Sequence, residues 1–212
     1  MTAAPISDLA CPRPPPDLAQ REMPEHELDL ATTSLWRIHG SSYGAVYYSR
    51  RSYGGVNYRF NAADDEFGVL YASTSFDACM AEAVVRERFQ GASLPLMLDE
   101  DELTSRSITS LGTDLKRPLR LADLTQPHVH LGMDNRVLST VNYRAPNLWS
   151  SAIYRAFPDL DGIWFTSRFA NEPSVAVFDR TQLIERDPPV RLDRHPLLPA
   201  WMERYGVGIT PG

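Results

Sequence analysis

Apolar residues along this chain fall in short blocks separated by turn-forming residues, and the blocks alternate between two periodicities. Leu35–His39, LWRIH, is a run of bulky residues that predicts a strand. Gly40–Phe60, GSSYGAVYYSRRSYGGVNYRF, mixes glycines, tyrosines and arginines without a period and predicts loops with short strands. Gly68–Ser73, GVLYAS, predicts a second short apolar strand. Ser75 is then placed to cap a helix running from Phe76 to about Phe89. On a helical wheel Phe76, Cys79, Met80, Ala83 and Glu87 lie together, a mostly apolar stripe, with Glu82 at its border. A carboxylate at that border reaches a cleft without full burial.

Further strands are predicted near Ser105–Ile108 and Leu119–Leu124. Ala145–Phe157 predicts a helix capped by Asn147 and stopped by Pro158. Asp161–Arg168, DGIWFTSR, reads as a turn and a strand ending in Ser167 and Arg168, and Pro173–Asp179 as its hairpin partner. LLPAWMERYG near the end predicts one short helix. The sum is an α+β domain with several short strands and few helices.

A chain of 212 residues suits one domain, which is placed at residues 35–212. Residues 1–34 are rich in proline and acids and are read as an N-terminal extension, since Pro12, Pro14, Pro15 and Pro16 forbid regular helix there. Net charge is -6 with no long basic run, which argues against binding nucleic acid through its backbone. The two cysteines, Cys11 and Cys79, suggest no disulfide framework. The N-terminus carries no export pattern and no stretch approaches the length of a membrane span, so the cytoplasm is the expected location.

Local motifs for phosphate loops, dinucleotide folds, zinc and glycine-framed serine nucleophiles are absent. His128 and His130 in HVH could face one metal ion, but nothing nearby completes a site, so a polar loop is the reading taken and no metal is expected. What remains is dispersed: Arg37 inside an apolar strand, Arg59 after a glycine pair, Tyr71 at a strand end, Glu82 on the next helix and Ser167 at another strand end. Each has an ordinary structural reading as an ion pair, a core aromatic, a solvated flank or a turn cap. Together, Arg, Tyr, Glu and Ser at element ends suit a phosphorylated ligand with an aromatic part.

The order LWRI, RF, GVLYASTSFDACMAEAV and DGIWFTSR resembles the RES-domain family over residues 35–180, roughly. The resemblance implies a toxin of a bacterial toxin–antitoxin pair, with a fold similar to ADP-ribosyltransferase toxins and short strands around an NAD cleft. It implies NAD as substrate, degraded by water or inorganic phosphate, or used in some members to transfer ADP-ribose to a protein. A small helix-turn-helix antitoxin is the implied partner. The family's residues match Arg37, Tyr71, Glu82 and Ser167 here, with Arg59 matching a second arginine after a glycine-rich turn. Many members have Gly-Gly-Arg-Phe, whereas Val56, Asn57 and Tyr58 intervene between Gly55 and Arg59 in this chain. In the implied chemistry Glu82 faces the sugar cation that forms as nicotinamide leaves, Arg37 holds pyrophosphate oxygens, and Arg59 is a second arginine binding the cofactor. Tyr71 stacks on the nicotinamide or ribose side, and Ser167 positions Glu82 or donates to the carboxamide. The missing second acid before Glu82 favours water or phosphate as acceptor over a protein. A non-enzymatic interaction module is the alternative from another class.

Overall fold

The computed structural model describes residues 11–50, 57–86 and 88–212. Gly54, Gly55 and Glu87, which entered the reading of the sequence, lie outside the described residues. The fold is α+β. Its strands, in chain order, are β1 (Glu25–Leu28), β2 (Leu35–Gly40), β3 (Val69–Ser73), β4 (Leu96–Asp99), β5 (Arg106–Thr113), β6 (Leu119–Asp123), β7 (Gly162–Thr166), β8 (Pro173–Phe178), β9 (Leu183–Glu185), β10 (Val190–Arg191) and β11 (Val207–Thr210). Among the described residues nine of them form one sheet in the order β1-β6-β7-β8-β3-β2-β5-β10, with β9 also on β5, while β4 and β11 pair in parallel apart from it.

Alternation along the strands gives the sheet two apolar faces. Leu70 and Ala72 of β3, Val175 and Val177 of β8 and Trp164 of β7 enter one cluster with Leu35, Leu111 and Leu121. Val69 of β3, Ile163 and Phe165 of β7, and Ala176 and Phe178 of β8 enter the other. That second face is covered by the long helix Arg144–Ala156, which brings the fully buried Trp149 and Ile153. Each large side chain removed from water here contributes about 2 kcal/mol.

The hairpin Asp161–Asp179 is tight at Gly162. A β-carbon there would collide with the carbonyl oxygen of Ala176 and stand 2.9 Å from Val177 Cα. Both are backbone atoms of the paired strand and cannot step aside. Gly162→Ala is therefore expected to destabilise the fold by about 3 kcal/mol. A urea midpoint equal to that of the wild type would refute this packing.

The sheet opens at one place. β2 pairs β5 over its whole length, Leu35–Gly40 against Leu111–Arg106, and β3 pairs β8 from Val69↔Phe178 to Ser73↔Ser174. Yet β2 and β3 share only the Trp36↔Ser73 bridge. Beyond it the two strands splay, and a cleft of about 290 Å³ lies between them.

Three local expectations differ from what the structure contains. The helix after β3 begins at Phe76, with Ser75 Oγ accepting the amide of Ala78 as expected of its cap, but its α-helical part ends at Met80. Ala81–Val85 continues as a π turn, and Arg86 stops it with φ of +47°. Asn147 is not a cap: the helix starts at Arg144, and the Asn147 side chain points inward. The strand expected at Ser105–Ile108 extends to Thr113, because β2, β9 and β10 pair along it.

The sequence predicts an extension over residues 1–34, and from Cys11 on these residues pack against the sheet and its helix. β1 pairs β6 from Glu25↔Ala122 to Leu28↔Leu119, Leu18, Met23, Leu28 and Leu30 are buried, and Trp149 Nε1 donates to Pro12 O at 2.9 Å. The proline-rich composition leaves room for only the 3-10 turn Leu18–Gln20 and for a short edge strand among the described residues. Among the described residues no helix is long and apolar enough to cross a membrane.

Candidate active site

The cleft between β2 and β3 collects side chains from several parts of the chain. β2 lends Arg37 and His39, the loop before β3 lends Tyr58 and Arg59, and β3 lends Tyr71 from its middle and not, as the sequence suggests, from its end. The helix after β3 lends Glu82, Ala83 and Arg86, and Tyr143, Phe165 and Phe169 complete the lining.

Glu82 sits on the π turn. Widening the helix by one residue there displaces its side chains from their α-helical directions, a distortion frequent at functional sites. Ser167, just past β7, donates its hydroxyl to Glu82 Oε1 at 2.6 Å. Ser167 Oγ in turn accepts the amides of Phe169 and Ala170 at 3.2 and 3.3 Å. Two incoming donors leave the hydroxyl proton for Glu82, so the carboxylate is held from one side by a group that is itself held. Arg86 then reaches back over the Tyr58 ring, 5.7 Å from its centroid.

Arg37 projects from β2 and donates from Nη1 to Tyr47 O at 2.8 Å. Among the described residues no carboxylate stands within ion-pair distance of it, and burial pulls its pKa down to about 10. Arg59 is 8% exposed, and it too has no carboxylate within ion-pair distance among the described residues. Burial lowers its pKa, the charge of Glu82 works against that, and Arg168 adds to it. Both guanidinium groups stay charged at neutral pH, so two poorly solvated cations face the cleft.

Tyr71 stands in the wall with its hydroxyl committed elsewhere. It accepts the amide of Phe60 at 2.8 Å and donates to Asn61 Oδ1 at 3.0 Å. Burial pushes its pKa upward, so the phenol keeps its proton. Its ring still presents to the cleft, so the expected stacking wall remains, and the hydroxyl fixes the loop that carries Arg59.

The same loop is fixed from the other side by the long helix. Asn147 Nδ2 donates to Tyr58 O at 2.8 Å and Arg59 O at 3.0 Å. Ser150 Oγ donates to Phe60 O at 2.6 Å, and Ser151 Oγ accepts the amide of Ala63 at 2.9 Å. Asn147, Ser150 and Ser151 are spaced to share one helical face, and all three are buried there. Their signal in the sequence is three polar residues beside Trp149 on what should be an apolar face. Sequence reading misses Asn147 in this role and misses Tyr58, Arg86, Tyr143, Phe165 and Phe169 altogether.

Elsewhere, His128 Nε2 lies 2.6 Å from Asp123 O and His130 Nε2 lies 3.1 Å from Glu22 O, and among the described residues no cluster of three or more His, Cys, Asp or Glu could hold a metal ion. Cys79 lines the cleft, but burial pushes its thiol up to about 12, which leaves it unreactive.

The five dispersed residues singled out in the sequence thus meet at one cleft: Arg37, Arg59, Tyr71 and Glu82 line it, and Ser167 holds Glu82. Comparison with curated proteins finds no match. Among solved structures, a chain of the crystal structure of the M. tuberculosis MbcT–MbcA toxin–antitoxin complex superposes with a TM-score of 0.60 at 19% sequence identity, over 91% of this chain and 98% of that one. A likeness at that identity speaks for the fold. The family model of the RES domain matches residues 34–199, which includes every residue of the cleft, and the chain belongs to the RES domain family.

Proposed function

We propose that this chain is a toxin that degrades NAD by breaking the bond between ribose C1 and the nicotinamide ring nitrogen. One observation carries the reading. A carboxylate positioned by a serine, the buried Arg59 and the half-buried Arg37, both arginines without a carboxylate at ion-pair distance among the described residues, converge on the opening of a split sheet. Poorly solvated cations of that kind suit an anionic ligand, and a dinucleotide pyrophosphate supplies one.

In this reading Arg37 and Arg59 hold the pyrophosphate, and Tyr71 walls the ring or ribose. The bond breaks with its electron pair going to the ring nitrogen, so nicotinamide leaves neutral and the sugar acquires oxocarbenium character. Glu82, fixed by Ser167, stabilises that cation and accepts a hydrogen bond from a ribose hydroxyl. Water or inorganic phosphate then adds at C1, water losing a proton as it does so. Asn147, Ser150 and the Tyr71 hydroxyl act as positioning groups, because they hold the loop that carries Arg59.

A protein that destroys NAD needs restraint in its own cell. The structural match is to a chain of a toxin–antitoxin complex, which favours an antitoxin partner here. The resemblance to the RES family adds that such a partner carries a helix-turn-helix part and seats over the cleft. The net charge of -6 favours any DNA contact being made by that partner.

The test is incubation of the purified protein with NAD, with and without inorganic phosphate, and expression of the chain alone in a bacterial host. Free nicotinamide, growth arrest and falling cellular NAD are expected, with growth and NAD restored by co-expression of the neighbouring gene. A labelled protein band in place of free ADP-ribose or its phosphate would make the chain a transferase. Soluble protein that leaves NAD intact would leave a binding module and sink the reading.

A further inference from the structure

Ser174 lies on β8, inside the sheet between β7 and β3, opposite Phe165 on one side and Ser73 on the other. The residue is 3% exposed and lines the cleft. Its hydroxyl has no hydrogen-bond partner among the described residues. Its neighbour Ser73 is different, since the Ser73 hydroxyl donates to Pro173 O and accepts the amide of Ser75. A buried unpaired hydroxyl costs stability, and a serine is a poor choice for a central strand on packing grounds. Alanine would fill the same place without that cost, as Ala176 does two residues on.

We infer that Ser174 reads the carboxamide of the nicotinamide ring, which makes it a specificity-determining residue at the floor of the cleft. The inference rests on the proposed NAD-cleaving function. A hydroxyl both donates and accepts, so it can meet either the carbonyl or the amino group of a carboxamide. The walls around it are aromatic, with Tyr71, Phe165 and Phe169 lining the same cleft, which suits a flat ring. Its position selects between the two flat rings of a dinucleotide. Phe165, directly across from Ser174, is two residues before Ser167, and Ser167 holds Glu82. A ring resting against Ser174 is therefore the one attached to the sugar carbon beside Glu82, which is the leaving ring and not the adenine.

The experiment compares wild type and Ser174→Ala on two substrates, NAD and the analogue whose pyridine ring carries no carboxamide. With NAD, kcat/KM of the variant is expected to fall about tenfold, the loss of one buried hydrogen bond. With the analogue the two proteins are expected to agree within about twofold, since the hydroxyl then has nothing to read. The melting temperature of the free variant should equal or exceed that of the wild type, because an unpaired polar group has been removed. An equal fall on both substrates, or unchanged activity on both, overturns the inference while leaving the proposed reaction in place. If the wild type does not cleave NAD, that reaction falls. The inference is then decided by calorimetric titration with nicotinamide alone, where about tenfold weaker binding to the variant supports it and equal or absent binding ends it.

Discussion

Glu82→Gln is expected to lower NAD turnover at least about a thousandfold while the protein folds and melts as the wild type does. The amide keeps the length and shape of the side chain. Its oxygen can still accept the Ser167 hydroxyl, whose direction is set by the amides of Phe169 and Ala170. What disappears is the negative charge facing the sugar cation, and that charge acts mostly in the transition state, so kcat should fall and KM should change little. Glu82→Asp keeps the charge but shortens the arm by one carbon, and about a hundredfold loss is expected because placement at that scale matters. A normal rate from Glu82→Gln would remove Glu82 from the chemistry. The same variant, expressed alone, should be harmless.

Much of this cleft is legible in the residues and little of its assembly is. LWRIH and GVLYAS are strands, Ser75 does cap the next helix, and DGIWFTSR with PSVAVFD is a hairpin. Those features rest on local propensity and periodicity, which sequence carries directly. The split between β2 and β3 is a matter of register between strands about thirty residues apart in sequence, which no local pattern encodes. The π turn under Glu82 ends at Arg86 with a positive φ, in a place where no glycine announces it. Asn147 suggests a cap because its residue type favours caps. Its amide serves two loop carbonyls instead, and only the packed helix shows that. The edge strand β1 is hidden by prolines that rule out a regular α-helix and leave pairing open.

Arg37→Met is expected to separate binding from stability. The variant should raise KM for NAD by about a hundredfold, the loss of a charge-assisted, bidentate hold on the pyrophosphate. It should also raise the melting temperature of the free protein. The reason is the cost of holding the charge of a half-buried side chain with no carboxylate at ion-pair distance among the described residues. Arg37 has a folded pKa pulled down to about 10 from 12.5, so between those values the unfolded chain holds the proton that the native protein has lost. Stability then rises with pH through that window, and at neutral pH the charged side chain is held at a cost that Met removes. Met gives up the hydrogen bond to Tyr47 O, but that bond lies at an exposed place, so water can satisfy the carbonyl. Arg37→Lys keeps the charge without the planar fork and should fall between the two in KM, with kcat nearly unchanged. Thermal melts without ligand, beside steady-state kinetics across NAD concentrations, measure both effects. A lower melting temperature with unchanged KM would make Arg37 a structural residue of β2, and the anion site would then rest on Arg59 alone.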